Sequence, residues 1–313
     1  MPDLQASNPQ HGDALSRFVE LADLQARLDL RCQFAGRYAV DHDASTGGDI
    51  VFHLVLQGRC VVELGAGAPV LLEAGDFLAL PRGAAHRLRS VAAPDAASAP
   101  FSRNDGGLLP MRRNTEGAAE LDLLCGRFNA GSRAADALFA TLPGALHASL
   151  SPTRAELGAV VALIRSEVEA APPGALAIVA ALTRVLFTLA LRVHIDAGTG
   201  QSGVLALLGD ARLAAAAQAM LAEPGQDWSM EQLAALAALS RATFMRRFGE
   251  VAGMTPGDFL TALRIARAAR LLRQTRRSTG DIGMEVGYRS ESAFNKAFAR
   301  VIGASPAAFR RED

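Results

Sequence analysis

The sequence predicts an α+β multidomain chain: a β-rich N-terminal half, a helical connector and an all-α C-terminal part. Three observations carry this. Residues 28–128 hold short β-rich runs punctuated by Gly and Pro, whereas from residue 153 onward Ala and Leu recur at helical spacing to the end. The chain has 313 residues and is 50% hydrophobic, enough for two cores and far from the composition of a disordered protein. The boundaries expected are 1–150, 151–224 and 225–313.

Within the first part, residues 50–56 and 60–64 read as strands joined by Gln57, Gly58 and Arg59, a hairpin signal, and residues 70–72 run into a turn at Gly75 and Asp76. Residues 92–117, rich in Ala, Pro, Ser, Asp and Gly, read as a mobile loop. Pro172, Pro173 and Gly174 punctuate the connector, and Glu223, Pro224 and Gly225 close it. Its helix over residues 176–193 carries two apolar seams. Leu176, Val179, Leu186 and Val193 form one, with Thr183 and Ala190 between them; Ile178, Leu182, Val185 and Leu189 form the other. Either both seams are buried within one chain, or one docks internally and the second joins a homodimer.

The apolar stretch 175–191 is interrupted by Arg184 and falls short of the roughly 20 residues of a spanning helix. Residues 1–10 show no basic segment followed by an apolar one. Cys32, Cys60 and Cys125 are too scattered for a disulfide scaffold. A cytoplasmic protein without a membrane partner is expected.

Net charge is zero, from 32 basic and 32 acidic residues, but it is unevenly spread. Residues 225–313 hold 14 Lys and Arg against 9 Asp and Glu, so the remainder is acidic by the same margin. A basic end on an acidic body suits a polyanion-binding module with a separate partner domain.

That basic end repeats itself. Shifted by 50 positions, Ser240, Phe244, Phe248, Gly253, Pro256 and Phe259 fall on Ser290, Phe294, Phe298, Gly303, Pro306 and Phe309. Each copy reads as a short helix, a tight turn, a Ser cap and a second helix with Phe at i and i+4. Leu233, Ala234 and Ala237 form the first helix of copy one, with Leu239 anchoring the turn. Ile282, Gly283 and Val286 serve copy two, followed by Gly287, Tyr288 and one extra turn residue. Ala234 and Gly283 are small enough for the two helices of each unit to cross closely, as a helix-turn-helix requires.

With the Phe residues inward, the opposite faces are polar and basic: Ser240, Arg241, Ala242, Met245 and Arg246 in copy one, Arg289, Ser290, Glu291, Asn295 and Lys296 in copy two. Arg pairs with guanine and Asn with adenine, while caps and helix N-termini suit phosphate. A helix over residues 259–273, with Leu260, Leu263 and Leu271 inside, would hold the readers apart, facing successive major grooves of double-stranded DNA about 34 Å apart.

The segment 228–310 resembles the C-terminal domain of AraC/XylS-type transcriptional regulators. Ile282, Gly283, Val286, Gly287, Tyr288, Ser290, Ser292, Phe294, Phe298, Gly303, Ser305, Pro306, Phe309 and Arg310 fit that family's signature. The resemblance implies a double helix-turn-helix activator, usually dimeric, that binds an operator and recruits RNA polymerase. At contact positions of the first reader, Ala242 and Met245 suggest apolar contact with thymine methyls.

Gly75, Asp76, Pro81, Gly83 and His86 follow the spacing G-x5-P-x-G-x2-H, which resembles the second motif of cupin barrels, and Gly58 matches the end of the first. Where metal-dependent cupins carry two His and a Glu, this chain has Ser45, Thr46 and Val51, so the usual cage is missing. His53 lies on the strand face of Val51 and is expected to point inward at His86. The N-terminal half is similar to the cupin sensor of a subgroup of AraC-type regulators, some of which respond to oxidants such as reactive chlorine through cysteines.

Two readings of this half stay open. In one, Cys32 and Cys125, with Arg31 and Arg127 adjacent, are redox-sensing thiols favoured as thiolate by neighbouring charge. The resemblance supports it, since such oxidant sensors carry cysteines at the matching positions. In the other, His53 and His86 with Cys125 hold a transition metal, zinc or copper. His42 is a weaker candidate for either role, and Cys60 reads as structural. The function expected is a DNA-binding regulator sensing oxidant, metal or a small molecule. The rival is a cupin metalloenzyme with an accessory helical domain, against which the missing first-motif ligands count.

Overall fold

Residues 50–57, IVFHLVLQ, are apolar almost throughout instead of alternating, the pattern of a strand covered on both faces. They form such a strand, buried along nearly its whole length. The structure, a computed structural model, describes residues 13–45, 48–65, 67–92, 100–104, 107–114, 117–129, 133–149, 155–197 and 203–312.

The strands are β1 (Gln25–Phe34), β2 (Ala39–His42), β3 (Ile50–Gln57), β4 (Arg59–Glu63), β5 (Val70–Glu73), β6 (Phe77–Leu80), β7 (His86–Arg89), β8 (Ser102–Asn104), β9 (Met111–Arg113), β10 (Leu121–Asn129) and β11 (Leu146–Ala148). The helices are α1 (Ala14–Ala22), α2 (Arg133–Phe139), α3 (Ala155–Ala170), α4 (Ala175–Ala197), α5 (Val204–Gly209), α6 (Ala214–Ala222), α7 (Met230–Leu236), α8 (Arg241–Ala252), α9 (Pro256–Gln274), α10 (Thr279–Glu285), α11 (Glu291–Ile302) and α12 (Pro306–Glu312). They divide into two compact units, Leu24–Ala130 with Leu142–Ala197, and Met1–Asp23 with Gly131–Thr141 and Gly198–Asp313.

The first unit is a double-sheet barrel. One sheet has the order β11-β6-β3-β10-β1-β9-β8 and the other β2-β7-β4-β5. The stretch β6-β3-β10-β1 beside β2-β7-β4-β5 is the strand order of a jelly roll, the architecture of cupins. Phe34, Val55, Leu78 and Leu123 from the first sheet and Val40, Val62, Leu72 and Leu88 from the second share one apolar core.

Here the expected hairpin fails. β3 pairs with β10 and β6, whereas β4 pairs with β5 and β7, so the turn at Gly58 carries the chain from one sheet to the other. Gly58 has φ +82°, and a Cβ there would lie 1.9 Å from the Glu120 carbonyl oxygen, so the corner is closed against backbone. Nor is 92–117 one continuous loop, since β8 and β9 form within it and β9 runs parallel to β1. The remainder of that segment lies partly outside the described residues, as does Thr46.

Against the barrel, α4 packs on β1 and β11 and beside α3. Val179, Thr183, Leu186 and Ala190 of its first seam are buried, and Phe187 meets Phe128 at 4.9 Å. The second seam is open: Ile178 and Val185 are 41% and 43% exposed, and Leu182 and Leu189 are half-buried. The helix runs 23 residues, longer than the uninterrupted apolar stretch suggests, and by length and composition alone it would cross a bilayer. Its buried seam instead serves the core of this unit.

The second unit contains the repeated segment together with two helices that sequence periodicity did not reveal. α1 packs on α6 and α9, and α2 on α9 and α11. Phe18 of α1 meets Phe139 of α2 edge to face at 5.7 Å, and Ala134 joins the core of Ile265, Ala269, Phe294 and Phe298. Thus α2, which follows β10 and precedes β11 in the chain, completes the core of the repeat-bearing unit.

Candidate functional site

Both copies of the repeat fold alike. Ser240 caps α8 by accepting from Thr243 N at 3.3 Å, and Ser290 caps α11 by accepting from Ala293 N at 3.2 Å. Each second helix ends on a left-handed glycine, Gly253 or Gly303. Phe244 meets Phe248, which meets Phe259, at 5.6 and 5.7 Å; Phe294 meets Phe298, which meets Phe309, at 5.6 and 5.5 Å. The turns match as well, with Leu239 N donating to Ala234 O and Tyr288 N to Gly283 O, each at 2.9 Å. Close crossing depends on the small residues: a Cβ on Gly283 would sit 2.9–3.0 Å from Phe294. α9 bridges the copies with Leu260 and Leu263 buried as expected, while Leu271 is only half-buried and Leu272 takes the inward place.

With these aromatic and aliphatic anchors turned inward, the free faces of α8 and α11 carry the residues singled out for DNA. Ser240, Arg241, Ala242, Arg246, Arg289, Ser290, Glu291 and Lys296 are exposed, and Met245 and Asn295 are half-buried. Arg241 pairs with Glu231 at 3.1 Å and Arg246 with Glu250 at 2.9 Å, both fully at the surface, so either guanidinium exchanges partners cheaply. Arg289 holds Asp227 at 2.5 Å, and that hydrogen bond depresses the Asp227 carboxyl below its ordinary range. Glu291 accepts from Thr279 Oγ1 at 2.7 Å, tying α11 to the start of α10 within the second unit of the repeat.

The barrel interior holds a different constellation. His42 and His86 are a directly opposed cross-strand pair of β2 and β7, and His53 and Cys125 are such a pair of β3 and β10. Opposed residues share a face, so each sheet presents one pair inward, and the two meet. His53 Nε2 lies 2.7 Å from His86 Nε2, His53 Nδ1 lies 3.2 Å from Cys125 Sγ, and His42 stacks on His86 with ring centroids 4.6 Å apart. Sequence spacing put His53 opposite His86 correctly.

The fold adds a third imidazole to this pair. Ligand nitrogens of His42, His53 and His86 all lie within 4.8 Å of one another, whereas Cys125 touches the other nitrogen of His53, on the far side of the ring. Its strand partner, not its sequence spacing, brings His42 to His86. Burial pushes all three imidazoles toward the neutral form: His42 down to about 4, helped by repulsion from His86, His53 well below its usual value, and His86 lowered despite its bond to the Ala84 carbonyl.

Cys32 and Cys125 are buried side by side in the barrel core with Cys60. Hydrogen bonding to the Cys32 sulfur and burial raise the Cys125 thiol well above its ordinary value, and burial pushes Cys60 up to about 12. The expected help from neighbouring arginines is absent. Arg31 points away from Cys32, since successive strand residues face opposite sides, and is spent on Asp122 at 2.5 Å, while Arg127, two residues beyond Cys125, is spent on Asp29 at 2.9 Å.

Comparison with known proteins agrees with this architecture. A cupin family model matches residues 13–196, and a helix-turn-helix domain model matches residues 233–312. An uncharacterized HTH-type transcriptional regulator of Haemophilus influenzae is 35% identical over 299 residues, covering 96% of this chain and 98% of its own. The RCS-specific HTH-type transcriptional activator RclR of Escherichia coli is 31% identical over 303 residues, covering 95% and 97%. Among solved structures, the DNA-binding domain of AdpA in complex with a target DNA is 36% identical over 33% of this chain and 92% of that one, with a TM-score of 0.31.

A jelly-roll barrel followed by two tandem helix-turn-helix units defines a cupin domain on a DNA-binding module. The chain belongs to the AraC-type transcriptional regulators that carry an N-terminal cupin domain. It is a regulator and not an enzyme, which sets aside the metalloenzyme alternative.

Proposed function

We propose that the protein is a sequence-specific transcriptional activator of the cytoplasm, homodimeric, in which residues 1–150 sense, 151–224 connect and dimerise, and 225–313 read an operator and engage RNA polymerase. The observation that carries the reading is the duplicated geometry of α8 and α11, capped and buried alike and each offering a polar, cationic face. Arg241, Ala242, Met245 and Arg246 read bases from the first helix; Arg289, Asn295 and Lys296 contact the second site; Ser240 and Ser290 meet phosphate. Glu291 acts within its unit by holding Thr279.

The open seam of Ile178, Leu182, Val185 and Leu189 supports a dimer through α4, because a contiguous apolar stripe left on a surface marks an interaction site. For the signal, oxidation of Cys32 and Cys125 is the favoured input, in keeping with the relative named as an RCS-specific activator. In the register Leu30 faces Cys125, so Cys32 stands diagonal to it. Diagonal residues lie about 7–8 Å apart at Cα, beyond the span of about 4.4–6.8 Å of a relaxed disulfide. Two thiols that lose two electrons and two protons to an oxidant of the hypochlorite class would therefore drag β1 along β10. Because α2 follows β10 and packs into the α9–α11 core, that shift has a covalent path to the DNA-reading unit.

Selecting duplexes from a random pool with the full-length protein tests the reading. An enriched site with two elements about one helical turn apart is expected; no enrichment over input would overturn it.

A further inference from the structure

We propose that His42, His53 and His86 form a binding site for one divalent transition-metal ion of the zinc and copper class, held by three imidazole nitrogens. The inference rests on the reading of the barrel as the sensing part. It does not reuse the usual cupin cage. Of the three residues only His86 belongs to the second cupin motif; Ser45 and Val51 have no strong donor, and His42 and His53 come from β2 and β3 at positions of their own.

Three features argue for a ligand. Imidazole nitrogens from both sheets converge at 4.8 Å or less, while the nearest alternative use, a satisfied core histidine, would not assemble three rings at one point. His86 is pre-oriented, for Ala84 O can only accept, so at 2.8 Å it fixes the proton on His86 Nδ1 and leaves the Nε2 lone pair aimed at the cluster centre. Finally, the span suits a small ion. Nitrogens on a tetrahedral ion with bonds near 2.0–2.1 Å stand roughly 3.3 Å apart. The His53–His86 pair at 2.7 Å would open slightly, and the half-buried His42 would swing in.

The protons follow from the same bonds. In the free cluster His86 Nε2 accepts, so His53 Nε2 donates to it and His53 Nδ1 carries its lone pair 3.2 Å from Cys125 Sγ. An ion on His53 Nε2 requires that proton on Nδ1 instead, where it points at Cys125 Sγ. No proton is lost from the imidazole; it changes nitrogen. The metal and the Cys32–Cys125 pair thus share one ring, and the thiol becomes an acceptor when the ion is bound.

The test uses full-length protein stripped with a chelator and titrated with Co(II), then displaced with Zn(II). One Co(II) per chain is expected, with the visible spectrum of a four- or five-coordinate nitrogen site and no sulfur-to-cobalt charge-transfer band. His42→Ala, chosen because His42 is half-exposed and its loss leaves the core intact, should weaken binding at least about tenfold, and Cys125→Ser should bind one equivalent. Failure to retain Co(II), an unchanged affinity in His42→Ala, or a charge-transfer band that disappears in Cys125→Ser would each overturn the three-imidazole site. The same samples are put to the selected duplex. Metal binding without DNA binding would keep this site and remove the DNA-reading assignment, and DNA binding without metal binding would do the reverse.

Discussion

Replacing Arg246 by Ala separates base reading from mere surface charge. The side chain is 66% exposed and its one partner, Glu250, is 58% exposed and four residues on, so the pair contributes only about 0.3–0.5 kcal/mol to folding. Thermal unfolding should be almost unchanged. If the guanidinium bonds a base bidentately, its loss costs about 1–3 kcal/mol of specific binding. At 1.4 kcal/mol per decade that is roughly a 5- to 150-fold rise in Kd. Fluorescence anisotropy on the selected duplex and on a scrambled one, each across a salt series, reads the two contributions. The specific duplex should lose most affinity while the scrambled duplex changes little. An equal loss on both, with the salt slope reduced by about one, would refute base reading and make Arg246 a phosphate contact.

Other consequences are equally direct. Gly58→Ala adds a left-handed backbone cost of about 1–2 kcal/mol to a clash 1.9 Å from the Glu120 carbonyl, whereas Gly36→Ala at φ +63° meets nothing within 4 Å. The first should lower the unfolding midpoint well beyond the second, and equal shifts would refute the corner packing. Asp76 is buried, which opposes its charge, but bonds from His147 at 3.1 Å, the Glu73 backbone and Ser149 at 2.7 Å outweigh burial and depress its carboxyl. A depressed acid stabilises above its unfolded value, near 3.9, and loses that contribution as pH falls through the folded one; Asp76→Asn should therefore flatten the acid limb of midpoint against pH. Val185→Glu on the open seam should raise the dimer dissociation constant at least about tenfold in sedimentation equilibrium with little change in melting, and an unchanged mass would remove α4 from the interface. Cys32→Ser or Cys125→Ser should abolish an oxidant-dependent reporter response, and a full response in both variants would end the thiol reading.

The repeat was legible in the sequence because its constraints are local. A Ser cap, two Phe one turn apart, a left-handed Gly and a first-turn Pro fall within 17 consecutive residues, 240–256 in copy one, so each leaves a fixed spacing. The same holds for the β-rich half and for His53 facing His86, since alternation along one strand decides which side chains look inward. Periodicity was silent on α1 and α2, which are short and become stable only by packing on α9.

Sequence by itself determined the β-rich and helical halves, the duplicated DNA-reading units and the family. Tertiary structure alone decided that β3 and β4 part company at Gly58, that His42 stands beside His53 and His86, and that α2 belongs to the core of the DNA-reading unit. Those facts depend on which strand lies beside which across dozens of residues. No spacing in a single chain records that, because pairing partners are chosen by the burial of the whole sheet.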